Sequence, residues 1–129
     1  MYNILVCDDE KDIVEALGIY LSAEGYQVTK AYNGQEACEK LKTGDVQLVL
    51  MDIMMPVMDG LTAARTIRAL DRQDAKTIPI IAMTANAFRE DAERCMEAGM
   101  NAHLAKPLDD EKIKQTISEE LRKQNACHE

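Results

Sequence analysis

The sequence predicts a doubly wound α/β domain: five β-α pairs forming a single parallel sheet, in strand order 2-1-3-4-5, between two layers of helices. Two observations carry this expectation. Short apolar runs alternate five times with stretches whose apolar residues recur at helical spacing, and such strict alternation puts helices on both faces of a parallel sheet. The middle run, Val46 to Met51 interrupted only by Gln47, lacks polar alternation, as expected of a strand buried on both faces.

The first strand, Asn3 to Cys7, leads directly into Asp8, Asp9 and Glu10. From Asp12 to Glu24, Ile13, Leu17, Tyr20 and Leu21 form the stripe of an amphipathic helix, and Gly25 stops it. Tyr26 to Lys30 is the second strand. Asn33 and Glu36 have capping-box spacing, and the helix they open turns Ala37, Cys38 and Leu41 inward before Gly44 ends it. The third strand ends on Asp52, and Pro56 and Gly60 force a loop. Asp59 can cap the third helix, with Leu61, Ala64, Ile67 and Leu70 inward and Arg65, Arg68 and Arg72 outward. Pro79 to Thr84 is the fourth strand. Asn86 caps the next helix, whose inner face is Phe88, Ala92 and either Cys95 or Met96, and Gly99 terminates it. Ala102 to Ala105 is a short fifth strand ending on Lys106-Pro107, where proline holds its predecessor extended. The fifth helix begins near Asp109, with acids in its first turn, Arg122 and Lys123 in its last, and Ile113, Ile117 and Leu121 inward.

The 129 residues suit one domain, residues 1–125, with a tail at 126–129. Fifteen Lys and Arg against 23 Asp and Glu give a net charge of −8, which disfavours a nucleic-acid partner, because affinity for phosphate backbones rests on cations. Cys7, Cys38, Cys95 and Cys127 show no metal-ligand spacing, so reduced core thiols are expected. No stretch approaches the about 18 consecutive apolar residues of a membrane span, and Met1 leads straight into a strand, so a cytoplasmic setting is expected.

Polar chemistry stands at four strand tips: Asp8 and Asp9 after the first strand, Asp52 after the third, Thr84 after the fourth and Lys106 after the fifth. In the order 2-1-3-4-5 these strands are neighbours, so the side chains converge at one sheet edge, in the crevice where open α/β sheets bind ligands. Taken singly, each has a plain structural explanation as a cap, a strand residue or a solvated tip. Jointly they imply a cation, since carboxylates a few ångströms apart repel by roughly 3 to 4 kcal/mol per pair at an effective dielectric near 20. Oxygen donors in an open site favour Mg²⁺ or Mn²⁺ over zinc. A phosphoryl group on Asp52 would meet that cation, the Lys106 ammonium and the Thr84 hydroxyl.

These residues also carry a resemblance. The segments Val-Cys-Asp-Asp-Glu, Met-Asp-Ile-Met-Met-Pro-Val-Met-Asp-Gly, Ile-Ala-Met-Thr-Ala and Lys-Pro, in this order and spacing, make the chain similar to response-regulator receiver domains over essentially its full length. The resemblance implies a flavodoxin-like fold and a two-component signalling role, in which Asp52 accepts phosphate from a sensor histidine kinase, a phosphotransfer protein or a small phosphodonor. It further implies that Asp9 and Asp52 ligate Mg²⁺ directly, Asp8 acts through water, and the backbone carbonyl of Met54 is another ligand. Thr84 and Lys106 would contact the phosphoryl group, and the Lys106-Pro107 bond would be cis. Such domains catalyse their own phosphorylation and dephosphorylation without being conventional turnover enzymes.

One departure concerns the family's switch position, three residues before the lysine, where Tyr or Phe is usual and this chain has His103. A histidine can fill the same pocket and can also carry charge near neutral pH. The implied contact face is the fourth helix, fifth strand and fifth helix, around Phe88, Arg89, Met96, His103 and Lys112. It would meet a downstream protein, an output domain or, in a phosphorylation-dependent homodimer, a second copy.

Other chemistries fit less well. A haloacid-dehalogenase-type phosphatase needs a second Asp two residues after the first as general acid, and that position is Met54. A flavodoxin-like cofactor binder needs hydroxyls and amides after the first strand, where Asp8-Asp9-Glu10 repels phosphate. An adaptor that keeps the fold without phosphorylation would lack an acid, the threonine or the lysine, and all are present.

Overall fold

The structure, a computed structural model, describes residues 2–43, 45–53, 60–70, 78–84, 89–105 and 109–127, without the side chains of residues 43, 60, 89–92 and 124–127. Strands and helices alternate as β1 Asn3–Cys7, α1 Lys11–Ala23, β2 Gln27–Ala31, α2 Gly34–Thr43, β3 Leu48–Asp52, α3 Gly60–Arg68, β4 Ile80–Thr84, α4 Arg89–Glu97, β5 Ala102–Ala105 and α5 Asp110–Cys127. The strands form one parallel sheet in the expected order β2-β1-β3-β4-β5.

Alternation along each strand divides the core in two. Leu5, Cys7, Val49, Met51, Ile80 and Ala82 pack with Ala37 and Leu41 of α2, Ala64 and Ile67 of α3 and Cys95 of α4. Ile4, Val6, Leu48, Leu50, Ile81 and Met83 face Val14, Leu17 and Leu21 of α1 and Ile113, Ile117 and Leu121 of α5. Every residue of β3 is buried, as its unbroken apolar run requires.

Several local expectations are met in detail. Asn33 Oδ1 accepts the Glu36 amide at 2.8 Å, and Glu36 Oε2 accepts from Asn33 Nδ2 at 3.1 Å, so the capping pair closes through the asparagine side chain. Gly25 and Gly99, after α1 and α4, have φ of 95° and 98°, the left-handed backbone that ends a helix. Cys7, Cys38 and Cys95 are buried thiols outside any disulfide.

Other expectations are corrected. The second strand is displaced by one residue. At α4 the choice between Cys95 and Met96 resolves to Cys95, with Met96 60 % exposed. Arg122 and Lys123 are not in the last turn of α5, because no glycine or proline follows them before Cys127 and the helix continues. Arg68, expected outward, folds back onto the Gly99 and Ile78 carbonyls, which its planar fork pairs.

Candidate functional site

The register of the central strands builds the site. Cys7 pairs with Met51, so the next residue of each strand, Asp8 and Asp52, come side by side where β1 and β3 end. Asp8 is fully buried, Asp52 is 4 % exposed and Asp9 faces solvent. One ligand oxygen from each of Asp8, Asp9 and Asp52 lies within 4.8 Å of the others.

Backbone contacts hold this cluster. The Glu10 amide donates to Asp8 Oδ1 at 3.0 Å, an Asx-type turn that orients the buried carboxylate as the chain enters α1. The Asp8 amide donates to the Ala31 carbonyl at 3.3 Å, and the Cys7 thiol donates to the Asn33 carbonyl at 3.2 Å, tying the tip of β1 to β2 and its loop. Burial pushes the Cys7 thiol far up, and the negative charges of Asp8 and Asp52 push it further, so the thiol registers the field of the cluster. Neither the Asx turn nor the Cys7 contact was anticipated, although an Asp two residues before a helix cap signals the turn.

The donor set suits a hard divalent cation. Three carboxylates this close require compensation, oxygen donors match Mg²⁺, and the exposed Asp9 beside two withdrawn acids leaves an approach from solvent.

Thr84 ends β4, the neighbour of β3. Asp52 pairs with Met83, so Thr84 stands one residue beyond the partner of Asp52, and it is 3 % exposed. His103 pairs with Ala82 and Ala105 with Thr84, which puts His103 on the same sheet face as Thr84, at the exposed outer strand. Met96 and Lys112 are exposed as the contact-face expectation requires. Lys106, Pro107, Met54 and Phe88, with the side chain of Arg89, lie outside the described residues. Among the described residues, no helix is long and apolar enough to cross a membrane.

Comparison with known proteins agrees with this geometry. The chain is 39% identical over 115 residues to the sensor histidine kinase RcsC of Escherichia coli, covering 89% of this chain and 12% of that protein. It therefore spans about an eighth of that kinase. Among solved structures, it superposes with TM-score 0.83 and 35% identity on the receiver domain of sensor histidine kinase PA1611 from Pseudomonas aeruginosa, covering 92% of this chain and 95% of that one. That structure has a magnesium ion coordinated in its active-site cleft. A CheY-like response regulator receiver domain from Methanospirillum hungatei gives TM-score 0.89 at 27% identity, with 98% of each chain covered. The family model described as response regulator receiver domain matches residues 4–118. A match over nearly the whole chain, on a sheet of this order, shows that the protein belongs to the response regulator receiver domain family.

Proposed function

We propose that this chain is a two-component phosphoacceptor, and that Asp52 takes the phosphoryl group. The observation that carries this reading is the convergence of Asp8, Asp9 and Asp52, with ligand oxygens within 4.8 Å, at the tips of two central strands. Asp9 and Asp52 would hold Mg²⁺ directly, Asp8 through water, and the Met54 carbonyl would add a donor; Mn²⁺ would substitute. Bound there, the cation supplies positive charge against the phosphoryl oxygens.

An Asp52 carboxylate oxygen attacks the phosphorus of a phosphohistidine or a small phosphodonor. The P–O bond forms as the bond to the donor breaks, the donor leaves with that electron pair, and an acyl phosphate remains on Asp52. The Thr84 hydroxyl donates to one phosphoryl oxygen and the Lys106 ammonium pairs with another. The same residues serve the return reaction with water, so the domain catalyses its own phosphorylation and dephosphorylation.

The donor is a sensor histidine kinase or a phosphotransfer protein, a reading supported by the likeness to the sensor histidine kinase RcsC and to the receiver domain of PA1611. Thr84 moves toward the phosphoryl group, His103 turns inward, and the face of α4, β5 and α5 changes shape. That face, with Met96, His103 and Lys112, meets a downstream protein, an output domain or a second copy in a phosphorylation-dependent homodimer. Residues 1–125 form the acting domain, 126–129 are accessory, and the setting is the cytoplasm.

Intact-mass spectrometry after treatment with acetyl phosphate and Mg²⁺ tests the reading. One phosphoryl group should appear, map to Asp52 and vanish in Asp52→Asn. Stoichiometric labelling that persists in Asp52→Asn would refute it.

A further inference from the structure

At the end of the sheet away from the acids, Arg68 closes a clamp. Its Nε and Nη2 donate to the Gly99 carbonyl at 2.9 and 2.6 Å, Nη1 to the Ile78 carbonyl at 2.7 Å, and Nη2 also to Asn101 Oδ1 at 2.8 Å. Asn101 Oδ1 in turn accepts the Ile80 amide at 2.9 Å, while the Asn101 amide donates to the Ile80 carbonyl at 2.8 Å. One guanidinium therefore joins the last turn of α3, the entry to β4 and the turn between α4 and β5. A Cβ on Gly99 would stand 3.1 Å from Arg68 Cγ, so the close approach of the side chain depends on glycine there.

The clamp and Thr84 occupy opposite ends of one strand. Four steps along β4, about 13 Å at 3.3 Å per residue, separate Ile80 from Thr84. The helix that follows Thr84 runs back from Arg89 to Glu97 and finishes at the clamp through Gly99. A displacement of Thr84 therefore meets a strand whose far end is held, and a helix whose far end is held by the same side chain.

We propose that Arg68 is a positioning residue for signalling, the fulcrum about which α4 swings when Thr84 moves. The proposal rests on the phosphoacceptor reading and adds where the motion stops. With the amino end of β4 and the carboxyl end of α4 pinned together, movement at the phosphoryl site goes into the start of α4 instead of sliding β4 along the sheet. A planar fork is needed, because it bonds two carbonyls and an amide oxygen at once.

Amide hydrogen exchange on the unmodified protein separates this role from general stability. In Arg68→Ala, protection at Ala98, Gly99, Met100 and Asn101 should fall about tenfold or more, while Leu50 and Val6 in the core change less than about threefold. Arg68→Lys should not restore it, and Asn101→Ala should weaken the same amides if Arg68→Ala fails to fold. An equal loss at core and turn, or none at the turn, overturns the proposal.

Beryllofluoride, which mimics an aspartyl phosphate, supplies the second arm by NMR. In the wild type, shift changes should decline along α4 from Arg89 and be small at Gly99 to Asn101; in Arg68→Ala they should extend through those residues, with Asp52 responding as before. A responding wild type with an unaltered Arg68→Ala profile overturns the fulcrum alone. A wild type whose Asp52 and Thr84 amides ignore beryllofluoride overturns the phosphoacceptor reading and the swing with it, whatever the exchange arm shows.

Discussion

Asp52 lies opposite Met83 in the β3–β4 ladder, one residue short of Thr84. The acid and the hydroxyl therefore belong to adjacent strands out of step by a single residue, and on the proposed reading the Thr84 hydroxyl donates to a phosphoryl group carried by Asp52. Thr84→Val keeps the shape and removes the hydroxyl. Labelling by acetyl phosphate should persist, beryllofluoride-induced shifts in α4 should be lost, and stability should drop by about 1 to 3 kcal/mol because Thr84 is buried. Mass spectrometry, NMR and urea unfolding read the three effects; undiminished α4 shifts would remove Thr84 from the relay.

Convergence of Asp8, Asp9 and Asp52 should make the folded domain a better cation binder than the unfolded chain. At Mg²⁺ tenfold above its dissociation constant the gain is about 1.4 kcal/mol, or about 5 °C in melting temperature for a domain of this size. Asp9→Asn should melt higher than the wild type without Mg²⁺ and lose most of the Mg²⁺ increment. Thermal melts with and without the ion check both; a domain indifferent to millimolar Mg²⁺ would show that the acids do not act together.

Burial pushes up the thiols of Cys7 and Cys38, Cys7 with added push from Asp8 and Asp52. In the unfolded chain thiols ionise near ~8.5. Stability from keeping these thiols neutral is complete below that pH and is lost as pH rises toward the raised folded values, because the unfolded state then sheds protons the folded state retains. The urea midpoint should fall between about pH 8 and pH 10, less steeply in Cys7→Val. Iodoacetamide at about pH 8 should label Cys7 and Cys38 in urea and spare them in the native protein.

Gly25 and Gly99 share a left-handed backbone and differ in their surroundings. A Cβ at Gly25 meets nothing within 4 Å, whereas one at Gly99 meets Arg68. Gly25→Ala should cost about 1 kcal/mol from the backbone alone, and Gly99→Ala about twice that or more. Equal losses in urea unfolding would mean that the Arg68 approach has little energetic weight.

The legible parts of the molecule were those set by repeating patterns. Five alternations imply the parallel sheet, and in the doubly wound order 2-1-3-4-5 the tips of neighbouring strands bring Asp8, Asp9 and Asp52 together, as they do here. Periodicity assigns a residue to a helix face, however, and says little about where a long side chain finishes. That is why the pattern places Arg68 outward although its guanidinium ends on the Ile78 carbonyl, at the entry to β4. Cys95 and Met96 are only 100° apart on a helix, too close for pattern to separate near the edge of a stripe. The end of α5 escapes the pattern for a related reason: basic residues suggest a terminus, and only a breaker enforces one.

The complete burial of β3 has one last consequence. Its five residues, Asp52 included, are at most 4 % exposed and have a strand on either side, so the carboxylate is mounted on a close-packed strand with little room to shift. On the proposed reading, charge added there would find a rigid anvil beneath it, and the yielding would fall to the less buried outer strand β5 and to α4 beside it. An acid on an edge strand would absorb the same chemistry locally; with Asp52 as the proposed phosphoacceptor, this sheet would export it.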